Sequence, residues 1–496
     1  MLTRGLTQEL SDIQKGSDLA IAVACRDIDV RNIKALIVGP HETPSPFVFI
    51  KSILPRHRTC NASQQTKGNA DLTPTYTPTA KFACRSSGNG PGFHILLSRR
   101  APTESNLLGR TWRGERSEEW SSAQGLESIL LSIQSLLSAN PYENEPGFED
   151  ANGESDQKMQ REYVQKIRHE NLRISIIQRL ESYLGLNPDG SRISNDAKEA
   201  EESEVPFEPF KDLCKRRFLW YYTSYLTAIE RSKLEVKERQ AFVRMPFESQ
   251  FHNSMEGRFN YPELERRLKN IKAFLDAEPN VWAEEGVAAM AQETTVCVNL
   301  QHQFEQVSAA LKRGDMPHDV TLEDGNPFVW IITYFGRPMT NLDGGLFRIR
   351  MNFSPRFPDE QPRVRFETRI FHHHVADDGT ACYSPNPLKR EDIGSHIAAI
   401  FAVLEEDDPA YDPREIVNPE ATRMYWGGDA EKRKMYNRRL RRSVQQSLES
   451  ASRLPVRFPA CKSTDWPQGF SGIDLAADAA SAGFTRERKC MQIDTI

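Results

Sequence analysis

Three consecutive histidines, His372-His373-His374, end eight residues before Cys382, and Gly379 stands three residues before that cysteine. Downstream lies an acidic run from Glu405 to Asp412. A cysteine acts as a nucleophile through its thiolate, an imidazole donates or accepts a proton near neutrality, and a carboxylate orients or deprotonates an incoming group. The simpler alternatives are a cysteine serving as a small buried apolar residue and an acidic run forming a solvated loop. A metal site is disfavoured, because residues that alternate across a strand cannot all face one ion and no second ligand pair follows.

These residues sit in the second half of a chain of 496 residues, long enough for about three structural units. Leu126, Ile129, Leu130, Ile133, Leu136 and Leu137 fall on one helical stripe, which Asn140-Pro141 ends. Further helices are expected over 161–184, 210–229, 261–275 and 296–312, with an acidic break at 196–204. The period then changes: Phe347, Ile349, Met351 and Phe353 alternate with Arg348, Arg350 and Asn352, and Val364 and Phe366 with Arg363 and Arg365. Period two means half-buried strands. Ile393, Ile397, Ile400, Phe401 and Leu404 restore a helical stripe, and Tyr436, Leu440, Val444 and Leu448 draw another within a basic segment. At the start of the chain a helical stretch precedes a strand with Ile33, Ala35 and Ile37 on one face.

Lysine and arginine total 64 against 69 aspartates and glutamates, a net charge of −5. That balance offers no basic footprint for nucleic acid or an anionic membrane, so neither is expected as a partner. No run of about 18 apolar residues exists to span a bilayer, and Leu19–Cys25 is too short and too acidic in its flank for a signal peptide. The eight cysteines include no C-x-x-C pair, so neither a disulfide framework nor a zinc ribbon is encoded and a reducing compartment is expected. The basic residues Lys432, Arg433, Lys434, Arg438, Arg439, Arg441 and Arg442 read first as a solvated helix face; a nuclear address or a docking surface for an acidic partner is the alternative.

The order from about 296 to 450 resembles the ubiquitin-conjugating enzymes. It runs helix, strands, Gly344-Gly345, Phe357-Pro358 to Pro362, the histidine triplet, Gly379, Cys382, a helix, Asp412-Pro413 and Val417 to Ala421. The resemblance implies a small antiparallel sheet flanked by helices and makes Cys382 the acceptor of ubiquitin's C-terminus as a thioester. Sulfur suits that role because a thiolate attacks well and a thioester yields to an amine. In the family an asparagine, ending a His-Pro-Asn tripeptide eight residues before the cysteine, donates to the thioester oxygen; here that position is His374, an imidazole of different reach. Asp412 sits where the family's acidic gate for the incoming lysine is expected, with Asp408 the next candidate.

The first half carries a second resemblance, to the large Z-type members of that family. Ala35 to Pro44, Leu108-Gly109, Thr111-Trp112, Trp120 to Gln124 and the NPYENEPGFE run at 140–149 carry it. Five residues before Gly109, where that type keeps its cysteine, stands Glu104. The Ser-, Thr-, Pro- and Gly-rich stretch from 45 to about 105 reads as an interruption, a translated intron or misread exon, leaving a domain that does not close its sheet.

The expected architecture is α+β: a first ubiquitin-conjugating-type domain at 1–155 interrupted at about 45–105, a helical extension at 156–290, a second such domain at 291–450, and a flexible tail at 451–496. The implied function is a conjugating enzyme that takes ubiquitin or a ubiquitin-like modifier from an activating enzyme and passes it to lysine, alone or through a ligase. The alternative is an inactive scaffold of the same fold. No cofactor or metal is implied, and the expected location is the cytoplasm, the nucleus or both.

Overall fold

A computed structural model of the chain describes residues 2–15, 20–26, 29–40, 49–54, 80–81, 94–97, 126–135, 137–145, 147–193, 207–248 and 256–453. Cys60, Cys84, Glu104, the motifs at 108–124, the acidic break at 196–204 and the tail beyond Arg453 lie outside the described residues.

The N-terminal helix α1 (Leu2–Lys15) leads into β1 (Ile21–Arg26) and β2 (Asp29–Val38), an antiparallel pair in which Ile21 faces Ile37 and Val23 faces Ala35. The alternation along β2 divides its side chains between two cores. Ile33, Ala35 and Ile37 pack with α1 and α2 (Leu126–Ser135), while Leu36 and Val38 join the apolar cluster of the central helices. Of the stretch from 45 to 105 the structure describes only short segments. They contribute β3 (Phe49–Leu54), antiparallel to β2, with β4 (Ala80–Lys81) and β5 (His94–Leu97) completing a sheet of order β1-β2-β3-β5-β4. Backbone pairing needs no apolar period, which is why the sequence pattern missed these strands.

The central helices run longer than their apolar stripes. Helix α3 (Glu154–Glu170) passes through a π-helical stretch, Asn171–Gln178, into α4 (Arg179–Leu184), and Gly185 ends it in the left-handed region. Helix α5 (Lys211–Glu235) is apolar on more than one face, the mark of a helix covered on both sides. Helix α6 (Tyr261–Ala291), capped by the Asn260 side chain, passes Leu275 and the internal Pro279. Asn352 Nδ2 donates to the Pro279 carbonyl at 3.3 Å and Asn326 Nδ2 to the Ala283 carbonyl at 3.0 Å, tying this part of the helix to the second sheet. At Gly286 a Cβ would stand 2.7 Å from the Phe328 ring, so glycine allows the close crossing of helix and sheet.

Helix α7 (Thr295–Arg313) then opens the C-terminal fold. An antiparallel meander follows: β6 (Asp319–Glu323), β7 (Asn326–Phe335), β8 (Leu346–Asn352) and β9 (Arg363–Phe366). Strand β7 is apolar almost throughout because α6 and α7 both pack against it. Helices α8 (Ile393–Glu405), α9 (Pro419–Trp426) and α10 (Ala430–Arg453) complete the core around Trp330, Tyr334, Phe347, Ile397 and Tyr436. The described residues up to Ala451 belong to one compact unit.

Candidate active site

Cys382 stands on a hairpin that its own sequence builds. Val375 bridges to Ala381, the Ala376 amide donates to the Thr380 carbonyl at 2.9 Å, and the chain reverses at Gly379. That glycine has φ +88°, and a Cβ there would fall 2.3 Å from the Phe366 carbonyl oxygen, so no other residue fits. The reversal sets the cysteine beside the triplet: the Cys382 amide donates to the His374 carbonyl at 2.9 Å. Two further bonds, Phe366 N to Gly379 O at 2.8 Å and Ala381 N to Val364 O at 3.2 Å, dock the hairpin on β9. Spacing that looked like a motif in sequence is thus a turn of fixed length.

All three imidazoles are buried, with His372 stacked on His373 and His374, which meet each other at a tilt. His373 Nδ1 lies 3.0 Å from the Tyr436 hydroxyl, with Trp426 edge-on to its ring. His373 Nε2 and His374 Nδ1 have no hydrogen-bond partner among the described residues. Burial pushes the His372 pKa down to about 3 and that of His374 to about 4, the nearby Asp412 opposing the latter only weakly. His373 moves the same way for the same reason. All three are neutral at physiological pH. Asn418 fixes the loop from below: its Nδ2 donates to the Val375 carbonyl, and its Oδ1 caps α9 at the Ala421 amide.

Asp412 does reach this neighbourhood, where its charge acts on both His374 and Cys382. It is not free, however. Its carboxylate accepts from the Arg414 backbone at 2.8 Å and from Nε and Nη2 of the Arg414 guanidinium, a bidentate pair. Burial raises its pKa, but these bonds outweigh burial and hold the carboxyl below its usual range. Asp408 is elsewhere, an exposed side chain paired with Arg433 of α10 at 3.1 Å. Sequence reasoning did not single out Glu415, whose Oε2 lies 3.9 Å from His374 Nε2, or Arg217 of α5, whose Nε and Nη1 are buried without a hydrogen-bond partner. Glu415 closes the turn that Asp412 caps and was open to discovery from that spacing; Arg217 comes from far along the chain and carried no local signal.

The Cys382 thiol is 1% exposed. It belongs to the same apolar cluster as Phe218, Tyr221 and Tyr225 of α5 and Leu275 of α6. Trp220 Nε1 donates to the Ala381 carbonyl at 3.0 Å and the Tyr221 hydroxyl to the Arg414 carbonyl at 2.5 Å, so α5 bonds to the residue before the cysteine and to the acidic loop near it. Burial, and after it the Glu415 carboxylate, push the thiol pKa well above its ordinary value, with Arg217 opposing. A crevice of about 60 Å³ runs between α5 and β9, lined by Trp220, Arg363 and Thr380 among others, and Cys382 does not line it. Among the described residues no cluster of histidines, cysteines and carboxylates is arranged to hold a metal ion, and no helix is long and apolar enough to cross a membrane.

Comparison with known proteins decides the lineage. The sequence model of the ubiquitin-conjugating enzyme family matches residues 300–436, which spans Cys382 and Asp412. The chain is 31% identical over 130 residues to "Ubiquitin-conjugating enzyme E2 3" of Arabidopsis thaliana, covering 80% of that protein and 25% of this one. The chain belongs to the ubiquitin-conjugating enzyme family. It is also similar to "Ubiquitin-conjugating enzyme E2 Z" of Xenopus tropicalis, 33% identical over 246 residues, and of Homo sapiens, 27% over 270 residues. These two matches cover 49% and 54% of this chain, and in both cases 62% of the relative. The small antiparallel sheet β6–β9 with its helices is the family's domain in this chain.

Proposed function

We propose that the chain serves ubiquitin conjugation through its C-terminal domain, with Cys382 as a thioester carrier that is closed in the arrangement described. The observation that carries this is the 2.9 Å bond from Cys382 N to His374 O, which sets the thiol against the triplet, with Asp412 and Glu415 within electrostatic reach. A thiol, a neutral imidazole with a free nitrogen and two carboxylates are the groups that acyl transfer from sulfur to an amine requires. In this proposal ubiquitin or a ubiquitin-like modifier comes from an activating enzyme and leaves to a lysine or a ligase-bound target, in the cytoplasm or nucleus. Asp412 orients the amine once Arg414 releases it. Residues 1–155 form a second, Z-type domain of the same family, interrupted and without a cysteine at the family's position, and the helices of 156–290 are its extension.

A second proposal is favoured by a separate pair of observations. Arg414 already neutralises Asp412, and a histidine occupies the asparagine position, as in a domain kept for docking rather than turnover. The two proposals separate on a non-reducing gel after incubation with activating enzyme, ubiquitin and ATP. A thiol-sensitive adduct that is lost in Cys382→Ala supports the carrier. No adduct from the intact chain or from a chain with α5 loosened, together with retained ubiquitin binding, supports the docking domain.

A further inference from the structure

The central helices α5 and α6 have a second relation to the C-terminal domain, beyond the packing of neighbours. We infer that α5, backed by α6, is an intramolecular cap that lies where a modifier's tail would have to lie, and that its displacement controls access to Cys382. As regulation of the site proposed above, the inference rests on that proposal for its biological meaning; the closure itself does not.

Four side chains attach the cap to the segments that carry and adjoin Cys382. Trp220 and Tyr221 bond to the carbonyls of Ala381 and Arg414, which belong to the two segments that flank it. Asp212 of α5 accepts from Arg363 Nη2 at 2.8 Å and from the Gln361 amide at 3.2 Å, where the chain enters β9. Lys272 of α6 reaches Asp378, in the turn of the cysteine hairpin, at 2.8 Å. The cap therefore touches the start of the strand beneath the hairpin, the tip of the hairpin, the residue before the cysteine and the acidic loop opposite. Cys382 is buried in the apolar cluster that Phe218, Tyr221 and Tyr225 of α5 and Leu275 of α6 supply, so helix side chains close off the approach an acyl group must make to the sulfur.

The Lys272–Asp378 pair lies at a partly exposed rim, the Asp212–Arg363 pair is buried, and the centre of the seam is apolar. Ion pairs and hydrogen bonds at a rim contribute little each and are readily exchanged for water or for another chain's groups, whereas a buried apolar seam sets the resting state. That combination makes a cover that is shut by default and that opens locally at a cost below global unfolding.

The test uses the full chain and iodoacetamide, with alkylation of each cysteine followed by mass spectrometry. Cys382 should react far more slowly than half-buried Cys25. Lys272→Glu should speed alkylation of Cys382 about tenfold, and Lys272→Glu with Asp378→Lys should slow it again. Trp220→Phe, which keeps an apolar ring but loses the bond to Ala381 and some buried volume, should give a smaller acceleration without unfolding the chain. Cys297, buried in α7 away from the cap, reports on global opening. Cys382 reacting as fast as Cys25 in the intact chain, failing to respond to either variant, or rising only in step with Cys297 would overturn the cap. Charging with ubiquitin in the same variants separates the two proposals: alkylation that follows the cap while no variant forms an adduct upholds the cap and removes the carrier.

Discussion

The site and its cover are held by different physics. Around Cys382 the triplet His372–His374 is buried among Tyr425, Trp426 and Tyr436, with two ring nitrogens unpartnered among the described residues and the Glu415 carboxylate 3.9 Å from His374. Across the seam, α5 and α6 carry Asp212, Lys215 and Glu278 into a network with Arg363, which also stacks on Trp282. The triplet is thus a set of neutral groups that must stay neutral, and the cover a set of charges that must stay paired. Desolvation penalises the first on acidification and the second on deletion of any one partner.

Acid should break the comparison most sharply. An unfolded histidine takes its proton near pH 6.5, but folded His374 and His396 refuse it until about 4 and His372 until about 3. Between those values the unfolded chain binds more protons, so stability is intact above pH 6.5 and falls as the pH drops. Each such histidine contributes about 1.4 kcal/mol per pH unit over its window. The carboxylates of the cover behave otherwise. Asp212 and Asp378 are held below the usual range despite burial, by Arg363 and Arg216 in the one case and Lys272 in the other, so their contribution is present above the ordinary carboxylate pKa and lost only as the pH falls through their lower folded values. Urea midpoints measured from pH 7 to 3.5 should therefore begin to fall near 6.5, and exchange at amides 372–383 should rise before exchange in α6. A midpoint flat down to pH 4.5 would mean that the imidazoles are solvated.

Deleting one partner in the cover comes next. Asp212→Ala removes a carboxylate from a buried guanidinium and an acceptor from the Gln361 amide, leaving Arg363 its bonds to Glu278 and to the Gln361 carbonyl. A loss of about 3 kcal/mol is expected by urea denaturation. A change under about 1 kcal/mol would show that water reaches Arg363 and that the network is surface in character.

How far the sequence revealed this depends on whether the cause was local. The strands at 347–353 and 363–366, the helix from Ile393 and the hairpin at Gly379 follow from period and turn chemistry, and the structure forms them there. The nearness of His374 to Cys382 was legible because a hairpin of fixed length imposes it. The cover was not. Trp220 and Ala381 are 161 residues apart and Tyr221 and Arg414 are 193 apart, so nothing in either neighbourhood announces the other. The one available signal was composition: Leu213, Phe218, Leu219, Trp220 and Tyr221 put apolar surface on several faces of α5, more than one core can use. The pairing of Asp412 with Arg414 was hidden for the opposite reason, since a salt bridge two residues long looks like any acidic loop.

Tyr221→Phe sharpens the comparison at the seam. The ring stays, and the Arg414 carbonyl loses its bond from the tyrosine hydroxyl, for an expected cost of about 1 kcal/mol. Exchange should quicken at Arg414 and Glu415 and stay unchanged in β7 and β8. Equal acceleration in the sheet would show that α5 and the sheet open together and are not separable parts.

Asp412→Ala should have the smallest effect on stability, about 0.5 to 1 kcal/mol, since a partly exposed carboxylate with an arginine two residues away gives up little when removed. Its value lies in what should change beside stability. If Asp412 positions an incoming amine, the variant forms an adduct at Cys382 as readily as the unaltered chain but discharges it to free lysine several-fold more slowly, because only the second step involves the amine. If Asp412 serves only to hold Arg414, whose carbonyl receives Tyr221, the variant loosens the acidic loop and changes loading and discharge together. Arg414→Ala separates the two cases: it frees the carboxylate while removing the clamp, so faster discharge marks a gate released, and loss of both steps marks a loop undone.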